Sequence, residues 1–197
     1  MTWYEFLLFA HISMAVIWIG GGLMMQFFAI RASMSGDPLR MAALGEDIEW
    51  IAKRVFTPAS LLAFLTGILL VVEIPFLGFG DDWIVMGLVL YATTFLAGVL
   101  FLGPEAGRLG VLAEQGSPEV GPRTMRLIML ARLDLVLLFS ILYVMAVKPD
   151  LFDSAFLEGL AGAALAGGLV YWRYTVALSQ PPPGVPPGPP PELPQEG

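Results

Sequence analysis

The sequence contains one histidine, His11, which lies in an apolar stretch between Glu5 and Arg31. A neutral imidazole ligates haem iron or copper, so His11 is the first candidate for cofactor chemistry. If this stretch is helical, side chains three and four residues apart share a face with His11. That face carries His11, Met14, Trp18, Gly22 and Met25. This stripe is where we expect a haem b group or a copper ion, if the protein binds one.

Two interpretations of His11 stay open at the level of sequence. In the first, His11 is the haem or metal ligand, Met14 and Met145 offer soft thioethers, and Trp18 borders the cofactor. In the second, His11 is a buried histidine that hydrogen-bonds to Glu73. One chain cannot supply two histidine ligands, so a bis-histidine haem site would require a symmetric homodimer.

A second candidate for chemistry is the carboxyl group of Asp134, which falls near the middle of another apolar segment. An ionised carboxylate at that depth costs about 2.5–3.5 kcal/mol, so it should face the interior of a helical bundle. The other polar residues expected inside the membrane are Glu73, Thr66, Thr93, Thr94 and Arg132. Asp134 then either joins a hydrogen-bond network between helices through the threonines or takes up and relays a proton.

The composition indicates the environment in which these residues act. The chain is 57% hydrophobic and 14% charged, whereas soluble domains average about 25% charged residues. We therefore predict an all-α fold, a polytopic transmembrane helical bundle with five spans. The absence of cysteine excludes disulfides, thiolate metal sites and cysteine nucleophiles.

Helix-boundary signals divide the chain. Asp37-Pro38 and Thr57-Pro58 are typical helix starts, whereas Gly103-Pro104 and Lys148-Pro149 are typical helix ends. The expected spans are 4–31, 56–77, 83–103, 124–147 and 154–178. An amphipathic helix over 38–54 lies on the membrane surface or packs on neighbouring spans, and a proline-rich, disordered tail covers 179–197.

The basic residues predict the orientation in the membrane. Nine of the ten lysines and arginines fall on one side of the five predicted spans, and Lys148 alone falls on the other. Because cytoplasmic loops are enriched in basic residues, we expect the N-terminus outside and the C-terminal tail in the cytoplasm.

The sequence carries no recognisable catalytic motif. It has no phosphate-binding loop, no HExxH pattern and no nucleophile paired with a histidine base. No basic patch with interleaved aromatic residues indicates nucleic-acid binding. This pattern is more typical of a membrane protein without enzymatic activity. Its expected partners are the lipid bilayer and either a second copy of the chain or a larger membrane complex.

Two segments support a family resemblance. His11 followed by Trp18-Ile19-Gly20-Gly21-Gly22 resembles the first span of bacterial membrane proteins in the copper-resistance-D-like group, which includes membrane protoporphyrinogen-oxidase-like proteins. The segment 131–149 is similar to small integral membrane proteins of unknown function in that group. The resemblance covers residues 4–150 and leaves out the fifth span and the tail.

The resemblance implies a multi-pass protein of the bacterial inner membrane whose first-span histidine contacts haem, a role that would fall on His11. The function that we expect is a haem- or metal-associated bundle protein or a subunit of a membrane assembly. The alternatives are a haem-dependent porphyrinogen oxidoreductase and a copper or proton permease that uses His11, Glu73 and Asp134.

Overall fold

The structure, a computed structural model, describes residues 1–35 and 37–179, and all of its regular elements in that range are helical. Most of the proline-rich tail, 180–197, lies outside the described residues. The helices are α1 (Trp3–Ser35), α2 (Pro38–Ile51), α3 (Thr57–Glu73), α4 (Asp82–Ala97), α5 (Gly103–Glu114), α6 (Val120–Val147) and α7 (Ser154–Ser179). Two π-helical turns, Ala52–Phe56 and Gly98–Leu102, join α2 to α3 and α4 to α5.

Four continuous helices are long and apolar enough to cross a membrane. They are Trp3–Ala32, Ala43–Glu73, Asp82–Glu114 and Val120–Val147, and the shortest has 28 residues. At about 1.5 Å of rise per residue, each exceeds a hydrocarbon core of about 30 Å. The apolar part of α7, Ser154–Leu169, is shorter, so the fifth span stays a prediction.

The outward faces of these helices are apolar, as a lipid environment requires. Phe9, Val16 and Phe27 of α1 are all more than half exposed, and Val72 of α3 is 68% exposed. Such surfaces would be unfavourable in water but match lipid chains, and the helical backbone satisfies its own polar groups.

The helices continue through two sites where the sequence predicts a boundary. The Thr57 N–H donates to the Ala52 carbonyl, and the Gly103 N–H donates to the Gly98 carbonyl, five residues earlier in each case. Each of these residues directly precedes a proline, whose ring would collide with the carbonyl four residues back in an α-helix. The wider π turn relieves that collision, so Pro58 and Pro104 are accommodated without ending the helix.

Other boundary signals act as predicted. The Asp37 carboxylate caps α2 by accepting from the Leu39 N–H at 3.0 Å. At Lys148 the backbone adopts a left-handed conformation, φ 53°, and ends α6 one residue before Pro149.

Two apolar clusters hold the two ends of the bundle. At one end, Met86 and Leu90 of α4 pack with Val144 of α6 and Phe156 of α7. At the other end, α2 packs on α5 around Ala106, Leu109, Leu127 and Ile48. Between these ends α1 contacts α3 and α6, and α6 contacts α4. The helix α2 thus packs on α5 and continues into α3 through the first π turn.

Candidate functional site

The bundle encloses a cavity of about 180 Å³. It lies between α1, α3, α4 and α6, in the half of the bundle where α2 packs on α5. One wall is a face of α1 formed by Trp18, Gly22, Met25, Gln26 and Ala29. These positions are spaced by three and four residues, so they form one helical stripe. Three of the five residues in the stripe predicted from sequence line this cavity.

Asp134 of α6 and Gln26 of α1 are the two polar residues that distinguish the cavity. Both line it, and the side-chain oxygens Oδ1 of Asp134 and Oε1 of Gln26 are buried without a hydrogen-bond partner among the described residues. Gln26 is only 8% exposed. Because most buried polar atoms in proteins are paired, two unpaired oxygens in one cavity need an explanation.

The hydroxyl groups of Ser60 and Thr94, which line the same cavity, are satisfied within their own helices. Ser60 Oγ donates to the Thr57 carbonyl at 2.9 Å, and Thr94 Oγ1 donates to the Tyr91 carbonyl at 3.1 Å. Both residues are 2% exposed. These hydroxyls therefore do not pair with the Asp134 carboxylate.

The hydrogen bonds predicted between Asp134 and the threonines are not present among the described residues, because each threonine donates to a carbonyl of its own helix. Thr66 Oγ1 donates to the Leu62 carbonyl at 2.6 Å, and Thr93 Oγ1 donates to the Val89 carbonyl at 2.8 Å from an exposed position. Thr94 alone of the three lines the cavity. A threonine hydroxyl in a helix bonds readily to the carbonyl one turn earlier, which leaves its proton unavailable to another helix.

His11 lies against α3, and its ring is partly buried. Its Nδ1 is 2.7 Å from the Ala63 carbonyl oxygen and 3.4 Å from Thr66 Oγ1. A Cβ atom built on Gly67 would lie 3.1 Å from His11 Cε1, so glycine lets the ring approach the helix. The hydrogen bond joins α1 to α3 and assigns the proton to Nδ1, because a carbonyl can only accept.

The remaining predicted residues lie apart from this contact. Glu73 is exposed at the end of α3, roughly 15 Å of helical rise beyond Ala63, so it is not the partner of His11. Arg132 is exposed on α6, Met14 is partly buried on α1, and Met145 packs its methyl group against Gly87 of α4.

Aromatic rings bridge α1, α3 and α4 beside the cavity. The ring of Tyr91 stacks on Phe64 with centroids 4.8 Å apart and on Phe95 at 5.6 Å, and it meets Trp18 edge-on at 5.6 Å. Offset and edge-to-face pairs at these distances are favourable. The cluster fixes the Trp18 and Phe95 rings where they border the cavity.

The packing of α2 on α5 closes the cavity at its end. Gly45 of α2 lies so close to α5 that an added Cβ would be 3.2 Å from the Ala106 carbonyl oxygen. Leu44, Ile48 and Leu109 line the cavity from this end. Glycine at position 45 therefore allows α2 and α5 to approach closely, and their contact closes this end of the cavity.

Gln26 is the site residue that reasoning from the sequence missed. It is the one amide side chain between Glu5 and Arg31, and it lies one turn after Gly22 of the predicted stripe. Its side chain is neither ionisable nor a usual metal ligand, so residue type alone does not mark it as a candidate. Its position on the stripe was the available signal.

Metal ligands do not converge in the part of the chain that the structure describes: no three His, Cys, Asp or Glu side chains come together there. What the site presents instead is a largely apolar cavity with two oxygen acceptors.

Fold and site together define a polytopic helical membrane protein with an interior cavity that is lined mainly by apolar side chains and by the polar residues Asp134 and Gln26. The chain belongs to the family described as predicted integral membrane protein (DUF2269), a family of unknown function that matches residues 5–149. That match covers α1 from Glu5 onward, all of α2 to α6 and every residue that lines the cavity. No curated protein and no solved structure matches the chain.

Proposed function

We propose that this protein binds a small, mostly apolar molecule in its interior cavity and acts as a membrane carrier or ligand-binding subunit. The observation that carries the proposal is the pair of unpaired oxygens, Asp134 Oδ1 and Gln26 Oε1, in a cavity otherwise lined mainly by apolar groups. Ligand sites are typically concave and apolar, with a few polar groups that fix orientation. An intramembrane carboxylate is itself a functional-site candidate.

Native mass spectrometry of the detergent-solubilised protein tests this proposal. The wild-type chain should carry a non-covalent adduct, and Ala131→Phe, which fills the cavity from α6, should lose it. Gly22→Leu is a second filling variant, since a Cβ there makes only ordinary contact with Leu138 at 3.7 Å. Leu142→Phe, at an exposed position on α6, is the matched control and should keep the adduct. Adducts that are equal in all four proteins would contradict the proposal.

We also propose that the protein lies in the bacterial inner membrane with five spans, the N-terminus outside and the C-terminal tail in the cytoplasm. The support is the distribution of basic residues, nine of ten on one side of the predicted spans. The cysteine-free chain allows a clean test with single thiols. In intact cells an impermeant maleimide should label Thr2→Cys and should not label Gln195→Cys. Labelling of the tail from outside would reverse the orientation.

A second candidate function is haem or copper binding at His11, as the resemblance to the copper-resistance-D-like group suggests. One contact favours it: the Nδ1–H of His11 donates to the Ala63 carbonyl, which leaves Nε2 with a free lone pair. Metal-ligating histidines are commonly oriented by such a bond. His11 would be the only imidazole ligand from this chain, so a haem with two histidines would require a second copy.

The absorbance spectrum tests this second candidate. Protein that is expressed with haem available should show a Soret band that disappears in His11→Ala and persists in Thr93→Val, which removes a hydroxyl from the exposed face of α4. Colourless wild-type protein would contradict haem binding and would leave the cavity proposal unaffected.

A further inference from the structure

We propose that the cavity takes a small lipophilic ammonium, which Asp134 and Gln26 hold through its N–H groups and which enters from the lipid between the two π turns. The inference rests on the proposed function, because it specifies the chemistry of the ligand for the same cavity.

The hydrogen-bonding groups of the cavity call for donors from the ligand. Two residues that line it, Asp134 and Gln26, each have a buried side-chain oxygen without a partner among the described residues, one in a carboxyl group and one in a carboxamide. The hydroxyls of Ser60 and Thr94 already donate to carbonyls of their own helices. An ammonium group brings two or three N–H donors and so complements two acceptors at once.

Charge favours the same class of ligand. Among the ion pairs formed by the described residues, none involves Asp134. The nearest basic residue in sequence, Arg132, is exposed on α6. A carboxylate that is buried without a cation is unfavourable, and a cationic ligand supplies the missing partner. The rings of Trp18, Phe56 and Phe95 on the cavity wall also attract cations.

Volume limits the apolar part of the ligand. The cavity measures about 180 Å³, and an apolar cavity of about 150 Å³ in another protein accommodates benzene. A ligand with a single ring or a short branched chain, attached to one ammonium, therefore fits. Large multi-ring amines do not.

The second π turn forms the part of the cavity wall through which a ligand would enter. Val99 lines the cavity and is also 44% exposed, so we place the opening of the cavity at this side chain. Its neighbours Leu100 and Phe101 are exposed as well, and the surface around the opening is apolar. Ala52 and Phe56 of the first π turn also line the cavity. Such an apolar opening in a spanning helix admits molecules from the bilayer rather than ions from water.

Calorimetry with benzylamine and benzyl alcohol tests the ligand class. The two probes have similar shapes, but only benzylamine carries a positive charge at neutral pH. Wild-type protein in detergent should bind benzylamine at least tenfold more tightly than benzyl alcohol. Asp134→Asn should remove that preference by weakening benzylamine binding at least tenfold, and Gln26→Leu should weaken it severalfold. Ser140→Ala, which removes a hydroxyl bonded to its own helix at Val136, is the control and should bind benzylamine as the wild type does.

The outcomes separate the ligand class from the proposed function. If both probes bind equally and Asp134→Asn changes neither, the ammonium class is overturned while ligand binding in the cavity stands. If neither probe binds and native mass spectrometry shows no adduct, both proposals fall. Val99→Trp should slow benzylamine association at least fivefold, whereas Val85→Trp, at an exposed position on α4 that does not line the cavity, should not. Equal rates in these two variants would overturn the lateral entry.

Discussion

The His11 contact and the cavity are interior polar regions of the bundle that differ in how their atoms are paired. At the contact of α1 with α3, His11 Nδ1 lies 2.7 Å from the Ala63 carbonyl oxygen, and its ring packs against Gly67. In the cavity, the oxygens of Asp134 and Gln26 have no partner among the described residues. The first region has the features of a contact that stabilises the packing of two helices. The second has the features of a binding site, because its unpaired oxygens do not contribute to the stability of the fold.

The difference matters because stability and function place opposite demands on buried polar groups. A paired group strengthens the folded state, whereas an unpaired acceptor weakens it by about 1–3 kcal/mol. Proteins retain such unfavourable groups where binding or catalysis uses them. Substitutions at the contact of α1 with α3 should therefore lower stability, whereas substitutions of Asp134 or Gln26 should weaken ligand binding with little loss of stability.

The largest effect is expected where α1 and α3 approach most closely. Gly67→Val should lower the free energy of unfolding by about 2–3 kcal/mol, because the added side chain meets the His11 ring. Gly20→Val is the matched control, since a Cβ at Gly20 has no neighbour within 4 Å. Unfolding by dodecyl sulfate titration measures both. Equal losses in the two variants would mean that the α1–α3 contact is looser than described.

A smaller loss is expected when the histidine itself is removed. His11→Ala should cost about 1–2 kcal/mol in the same titration, because a hydrogen bond between two spanning helices disappears. Thr93→Ala removes a hydroxyl that bonds only within its own helix at Val89, and it should stay within about 0.5 kcal/mol of the wild type. If His11→Ala changed the free energy of unfolding as little as this control does, the hydrogen bond between His11 and Ala63 would not contribute to stability.

The smallest effect on stability is expected in the cavity. Asp134→Asn preserves the shape of the side chain, removes its charge and breaks no hydrogen bond described in the structure, so the free energy of unfolding should change by less than about 0.5 kcal/mol or rise. A loss as large as that of His11→Ala would show that Asp134 is paired in the folded protein, and the contrast between the two regions would disappear.

Part of this arrangement follows from the sequence. The helical period placed Trp18, Gly22 and Met25 on one face, and all three line the cavity. The cost of an intramembrane carboxylate predicted that Asp134 faces the interior, as it does. Lys148-Pro149 ended α6 as expected. These features depend on local periodicity or on single residues, and both can be read along the chain.

Other features depend on contacts that no local pattern encodes. The partner of His11 is a backbone carbonyl, a group that every residue has, so the sequence offered no reason to prefer Ala63 over Glu73. Pro58 and Pro104 indicated helix boundaries, but π turns accommodate them within continuous helices. Gln26 became a candidate only when α1 and α6 were seen to face the same cavity.

The most direct measurement compares the reactivity of single cysteines in the two regions. Ala131 lines the cavity, whereas Ala63 is 5% exposed where α1 meets α3. With aminoethyl methanethiosulfonate, a small cationic thiol reagent, Ala131→Cys in the detergent-solubilised protein should react at least tenfold faster than Ala63→Cys. Equal rates, or faster reaction at position 63, would contradict an accessible cavity beside a closed contact of α1 with α3.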